Sequence, residues 1–177
     1  QANFDGKEDL NGTVCRSQFG VLPWEDLSLK PLDNWLNYYS YHVAAEYSDN
    51  SQPISCLTDS DLRVMEGAVT LAEDLPFVVV SHGKNGRGHI DQTPAGPANY
   101  LTRTSVSGDE EENANPGDPD PDNARTYILN ASDDVVLYLS PMLLKAKLMS
   151  AGIAMSSCAP TTTTTTTAFR VTMTRMT

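Results

Sequence analysis

No apolar run in this chain approaches the roughly 18–20 residues needed to span a bilayer. The longest are Pro76–Val80 and Met142–Met155, the second interrupted by lysines. Short runs of this kind, bounded by Gly and Pro, are buried as strands rather than as long helices. Pro76–Ser81 (PFVVVS) is the strongest strand signal, because it is β-branched and ends before Gly83. Tyr39, Tyr41 and Val43 alternate with Ser40 and His42, a period-two pattern. Leu62–Met65 and Ala68–Ala72 flank Glu66-Gly67 and predict a hairpin. Thr126–Leu129 and Val135–Leu139 complete the set. Residues 1–22 read as a loop, and Pro23 opens a helical turn that points Trp24 and Leu27 inward. Ser140 and Pro141 predict the start of a helix with Met142, Leu143, Ala146 and Met149 on its apolar face, stopped at Gly152. The expected fold class is therefore α+β, with an antiparallel sheet, long loops and a short C-terminal helix.

The longest of those loops is 82–125, which has almost no apolar pattern. A loop of that length inside a compact domain is functional or held by something. With 177 residues the chain suits one domain with a core of its own. We divide it into a globular part, 1–155, and a Thr-rich tail, 156–177, read as flexible or extended. The tail holds an unbroken run, Thr161, Thr162, Thr163, Thr164, Thr165, Thr166 and Thr167, a set of candidate O-glycosylation sites. Against 12 Lys and Arg stand 23 Asp and Glu, a formal net charge of -11. That balance argues against a nucleic-acid partner and against a polybasic membrane-surface protein. Gln1 stands first, so the expectation is a processed or truncated chain. Cys15, Cys56 and Cys158 form no CxxC or CxxCH pattern, which excludes attached haem and zinc-ribbon sites. Cys15 and Cys56 are either one disulfide in an oxidising compartment or two free thiols.

The acidic part of the long loop is the best candidate site. Asp109, Glu110, Glu111 and Glu112 precede Asp118, Asp120 and Asp122, seven carboxylates in 14 residues. They are either solvated or gathered round a cation. Calcium takes six to eight oxygen ligands, and Asp109, Glu111, Asp118, Asp120 and Asp122 are the candidates. Other patterns are weaker. Residues 3–9 echo an EF-hand, but Gly12 stands where a bidentate Glu is needed. Gly83–Gly88 lacks the ending of a phosphate-binding loop. His82 and His89 lack a third zinc ligand. Ser81 and His82, adjacent on a strand, point to opposite faces and cannot form a nucleophile–base pair. No nucleophile–base set is found, and the expectation is a non-enzymatic protein.

Three stretches together resemble the globular head of prepilin-type proteins, the pilins and pseudopilins of type IV pili and type II secretion systems. Gly20-Val21-Leu22-Pro23-Trp24 followed by Asp33-Asn34-Trp35-Leu36-Asn37 is similar to a GxLPW…DxWGN pattern, with Leu36 in place of glycine. Val78–Gly86 is similar to VVxSHGxNG, to which the SxGxDG loop of major pseudopilins is related. Glu111-Glu112-Asn113 and Asp133–Pro141 are similar to ExEN…DDxVxWLSP. The resemblance implies a pilin-like head whose sheet packs on a long apolar N-terminal helix absent from this chain. That helix belongs either to the same precursor or to a separate short pilin chain. It implies a structural subunit of an extracellular cell-surface filament or a periplasmic pseudopilus, with other copies of itself as partners. It also brings a calcium ion, which related major pseudopilins hold in the equivalent loop. A freestanding secreted module binding calcium or a ligand is the alternative.

Overall fold

The computed structural model describes residues 5–8, 10–12, 14–15, 17–49, 51–91, 102–103, 108–114, 125–153 and 155. In chain order the elements are β1 (Leu10–Asn11), β2 (Val14–Cys15), β3 (Phe19–Val21), β4 (Ser40–Val43), α1 (Ala45–Ser48), β5 (Arg63–Glu66) and β6 (Val69–Ala72). They continue with β7 (Phe77–Ser81), β8 (Ile90–Asp91), β9 (Thr102–Arg103), α2 (Asp109–Ala114), β10 (Thr126–Ile128), β11 (Val135–Tyr138) and α3 (Pro141–Ser150). The α+β expectation holds, with mostly antiparallel pairing. The four-stranded sheet runs β11-β7-β4-β3 and is wholly antiparallel. The three-stranded sheet runs β10-β5-β6, and β10 pairs parallel with β5, which no local pattern announces.

One core draws on both sheets. Val78, Val80 and Val136 come from the first, Val64 and Tyr127 from the second, with Leu62, Leu75 and Ala44 between. Alternation along β7 explains the division: Val78 and Val80 are buried, while Phe77 and Val79 face the other side and remain half-buried. His42, on β4, reaches from the four-stranded sheet to the other, its Nδ1 2.9 Å from the Tyr127 hydroxyl. Burial and, secondarily, the Arg125 charge lower the His42 pKa to about 4.

Five details depart from the expectations. Leu10–Asn11, Val14–Cys15 and Phe19–Val21 are strands rather than loop. Trp24 is half-buried against Tyr38, ring centroids 5.4 Å apart, but Leu27 is exposed. The acidic stretch 109–114 is a helix, because four acids in its first turn suit the positive end of the helix dipole. Pro141 is the first residue of α3, but the Ser140 side chain makes no capping bond. The face of α3 carrying Met142, Leu143, Ala146 and Met149 is the exposed one. Leu144, Lys145 and Leu148 are the half-buried side, and Lys145 Nζ donates to the carbonyls of Cys56 and Thr58 at 2.9 and 2.7 Å. Gly152 does end α3: at φ 82 it donates to Met149 O, and Ile153 donates to Leu148 O, a Schellman closure.

Leu36 shows what the missing glycine costs. It sits at φ 69 with 77% of its surface exposed. A left-handed conformation costs a β-carbon-bearing residue roughly 1–2 kcal/mol. Leu36→Gly should therefore stabilise the protein by about 1 kcal/mol after glycine's entropy is counted, read as a raised urea midpoint.

Candidate functional site

Two features stand out: a buried polar cluster and an apolar groove. The cluster forms where the ends of β7, α2 and the turn before β11 meet. Asn130 and Ser132 hold φ 63 and 55 in that turn, an uncommon conformation for residues other than glycine. The turn presents Asp133 and Asp134 to α2. Asn113, fully buried on α2, clamps α2 to β10 by accepting from Ile128 N at 2.8 Å and donating to Ile128 O at 3.0 Å. This clamp holds part of the long loop on the body. The same helix turn brings Glu110 inside, with 6% of its surface exposed, while Asp109 and Glu111 stay in solvent.

Glu110, Asp133 and Asp134 each offer an oxygen within 4.8 Å of the others, so this buried acidic cluster can hold a metal ion. Asn85 ties two of the three, donating from Nδ2 to Glu110 at 2.6 Å and from its backbone to Asp133 at 2.8 Å. Asn113 donates to Asp134 Oδ2 at 3.0 Å. Asp134 Oδ1 is buried and accepts no hydrogen bond among the described residues. His82 Nδ1 lies 4.0 Å from it. Burial and the adjacent Glu110 and Asp133 charges, opposed by the Asn113 hydrogen bond, push the Asp134 pKa up to about 7. Arg87 Nη1, 3.6 Å from Glu110 Oε2, offsets part of the repulsion among the three carboxylates, and a proton or a bound cation offsets the rest. An all-oxygen set suits a hard divalent ion such as calcium rather than zinc.

The cluster differs from the expected ligand set. Asp109 and Glu111 are exposed and outside it, and Asp118, Asp120 and Asp122 lie outside the described residues. Sequence reasoning missed Glu110 because four consecutive acids look alike; only the phase of α2 selects one. Asp133-Asp134 and Asn85 were visible within the family-like stretches but were not read as ligands.

Ser81 and His82 do turn to different partners. Ser81 Oγ donates to Asp33 at 2.6 Å, and His82 Nε2 lies 2.8 Å from Ser40 Oγ. Ser40, His82 and Asp134 follow one another as in a hydrolase relay. The Ser40 hydroxyl lies on a residue with no exposed surface, however, so a substrate has no approach to it. Cys15 is a free, half-buried thiol whose Sγ faces Ser48 O at 3.7 Å. Burial, then the Glu8 charge, raise its pKa. The Cys15–Cys56 bridge is thus not formed: β2 directs Cys15 to α1, away from Cys56, which is not a free thiol. Cys158 and the Thr161–Thr167 run lie outside the described residues.

The groove lies on the face of the four-stranded sheet opposite the core and encloses about 860 Å³. Tyr41, Val79 and Leu137 form one row across three strands, with Val43 and Phe77 beside them. Leu22, Leu27 and Leu29 line it further, and Glu8 and Lys30 are its charged residues. Leu27, expected in the core, lines this groove instead. Among the described residues no helix is long and apolar enough to cross a membrane. No family model, curated protein or solved structure matches the chain.

Proposed function

We propose that this chain is the head domain of a pilin-like filament subunit, of a type IV pilus or a pseudopilus, working by assembly and surface presentation at the cell surface or in the periplasm. The carrying observation is the groove. An antiparallel sheet with one face in the core needs cover on its other face if that face is apolar. Here that face is built of Tyr41, Val43, Phe77, Val79 and Leu137. An apolar helix, supplied by the same precursor or by a separate short chain, is the element that fits such a groove. The family-like stretches in the sequence support the same reading. Val79→Glu places a charge in the groove floor. It should remove the subunit from filaments seen by electron microscopy while the head stays folded by circular dichroism. Normal incorporation of the variant would count against the reading.

The cluster supports a narrower proposal: Glu110, Asp133 and Asp134 bind calcium and lock the long loop on the body. In this reading calcium replaces the proton of Asp134, so binding releases protons below about pH 7. Millimolar calcium should raise the melting temperature over chelator, by a few degrees for a site filled well above its Kd. Asp134→Asn should abolish that rise while costing little without calcium, since its amide oxygen can still accept from Asn113. An unchanged calcium response in the variant would exclude Asp134 as a ligand. The same cluster is what favours the second reading, a freestanding secreted calcium-binding module. A head that binds calcium and never enters a filament would point to it.

The same variant uncovers a pH effect. The folded state holds the Asp134 proton more tightly than the unfolded state does, so Asp134 adds stability as pH falls from about 7 to 3.8. Folded His42 refuses a proton that unfolded His42 takes, so His42 removes stability as pH falls from 6.5 to about 4. The two oppose each other. In Asp134→Asn the His42 effect stands alone, and urea midpoints should drop steeply between pH 6.5 and 4. A flat profile there would contradict the assignment.

A further inference from the structure

Resting on the calcium reading and deepening it, we propose that Arg87 is a tethered cation that competes with calcium for Glu110, so that the cluster fills only where calcium is plentiful. Arg87 belongs to the glycine-rich loop 83–88 after β7, and that loop sits on α2. Gly88 holds φ 81, and a β-carbon there would overlap the Ala114 β-carbon on α2. Gly86, at φ 62, donates from its backbone to His82 O at 3.1 Å. Between the two glycines the Arg87 amide donates to Asn85 Oδ1 at 2.8 Å. The loop backbone is thus set against the helix that carries Glu110, and the guanidinium meets that carboxylate.

Both oxygens of Glu110 are engaged, but unequally. Oε1 accepts from Asn85 Nδ2 at 2.6 Å, and Asn85 is tied again by its backbone to Asp133 at 2.8 Å. Oε2 faces Arg87 Nη1 at 3.6 Å, longer than a hydrogen bond. The Glu110 side chain is 8% exposed and that of Arg87 57%. A cation that needs Glu110 must displace one of these donors. Arg87 is the one that can leave, because its contact is the looser and it already stands half in solvent. Asp134 Oδ1 independently marks the place for a ligand. It is buried, accepts no hydrogen bond among the described residues, and belongs to the same three-carboxylate cluster.

Electrostatics set the sign of the effect. Without calcium, Arg87 offsets part of the carboxylate repulsion, modestly because the pair is half in solvent. With calcium, the same guanidinium repels the divalent ion. Both effects weaken binding, and at a separation of a few ångströms in a solvated setting they amount to about tenfold in Kd. Three carboxylates with such a competitor make a weak calcium site, of about 10⁻⁴–10⁻³ M as in extracellular modules. A site of that strength stays unfilled at the low calcium of a cell interior and fills outside. The long loop is then locked on the body only after export.

The test is calcium binding to the full chain by isothermal titration calorimetry, with urea midpoints in chelator alongside. The wild type should bind with a Kd of about 10⁻⁴–10⁻³ M. Arg87→Gln should bind about tenfold tighter, while its urea midpoint in chelator falls slightly. Arg87→Lys keeps the charge and should stay near the wild type. Added salt should narrow the gap between Arg87→Gln and the wild type, since an exposed charge is screened, whereas a purely structural change would not respond. Equal or weaker binding by Arg87→Gln, a matching gain in Arg87→Lys, a gap that salt does not narrow, or a wild-type Kd in the micromolar range overturns the proposal and leaves the calcium reading standing. No calcium binding by either the wild type or Arg87→Gln removes the calcium reading and this proposal with it.

Discussion

Gly83→Ala should lower stability by about 3 kcal/mol or more and remove the calcium response as well. Gly83 follows β7 at φ 55, where a β-carbon is already unfavourable. A β-carbon there would also overlap the backbone carbonyl and the carboxylate of Asp133. The carbonyl is main chain and cannot rotate aside, so the turn carrying Asp133 must move. That turn is held by Asn85, which donates to Asp133, and Gly83 itself is pinned by Asn37, whose Nδ2 donates to Gly83 O at 2.6 Å. The substitution therefore combines backbone strain, overpacking and lost hydrogen bonds, each worth about 1–3 kcal/mol. It also pulls one carboxylate out of the cluster. A variant with wild-type stability and an intact calcium shift would show that the close approach of Gly83 to Asp133 is not real.

Asp33→Ala should cost a similar amount, about 3 kcal/mol, without touching the cluster. Asp33 is 7% exposed and works in three directions. Its Oδ1 accepts from Trp35 N at 2.8 Å and from Asn37 N at 2.9 Å, closing the turn before β4. Its Oδ2 accepts from Ser81 Oγ at 2.6 Å, tying that turn to the end of β7. Alanine leaves a buried hydroxyl and two amides without their acceptor, and unmet buried groups cost about 1–3 kcal/mol each. Water can reach the amides near exposed Trp35, which keeps the total near the low end. Asp33→Asn should recover part of the loss, because an amide oxygen can still accept. A calcium shift that survives Asp33→Ala but not Gly83→Ala would separate the structural turn from the cation site.

Much of the sheet was legible because its strands are β-branched and bounded by turn residues. Val78–Val80 follows from its β-branched run, and the β5–β6 hairpin from Gly67, which takes φ 56 in the turn. Four things were not legible, each for a physical reason. The parallel pairing of β10 with β5 is a long-range contact that no local pattern encodes. The α3 face was assigned to the wrong side because both sides are apolar; the choice is made by Lys145 reaching the 56–58 loop. Glu110 was not singled out because selecting it from its neighbours depends on how Asn113 fixes α2 to β10. The groove is likewise invisible in sequence, since Tyr41, Val79 and Leu137 come together only through strand register.

The central claim is that an apolar helix covers the Tyr41–Val79–Leu137 row. A photoreactive phenylalanine analogue at position 79, activated in filaments of the producing cell, tests it most directly. The account predicts a cross-link whose partner peptide is a predominantly apolar helical segment, and loss of that cross-link at exposed position 57 as control. A cross-link only to polar segments of a neighbouring head, or none at position 79 in intact filaments, would contradict it.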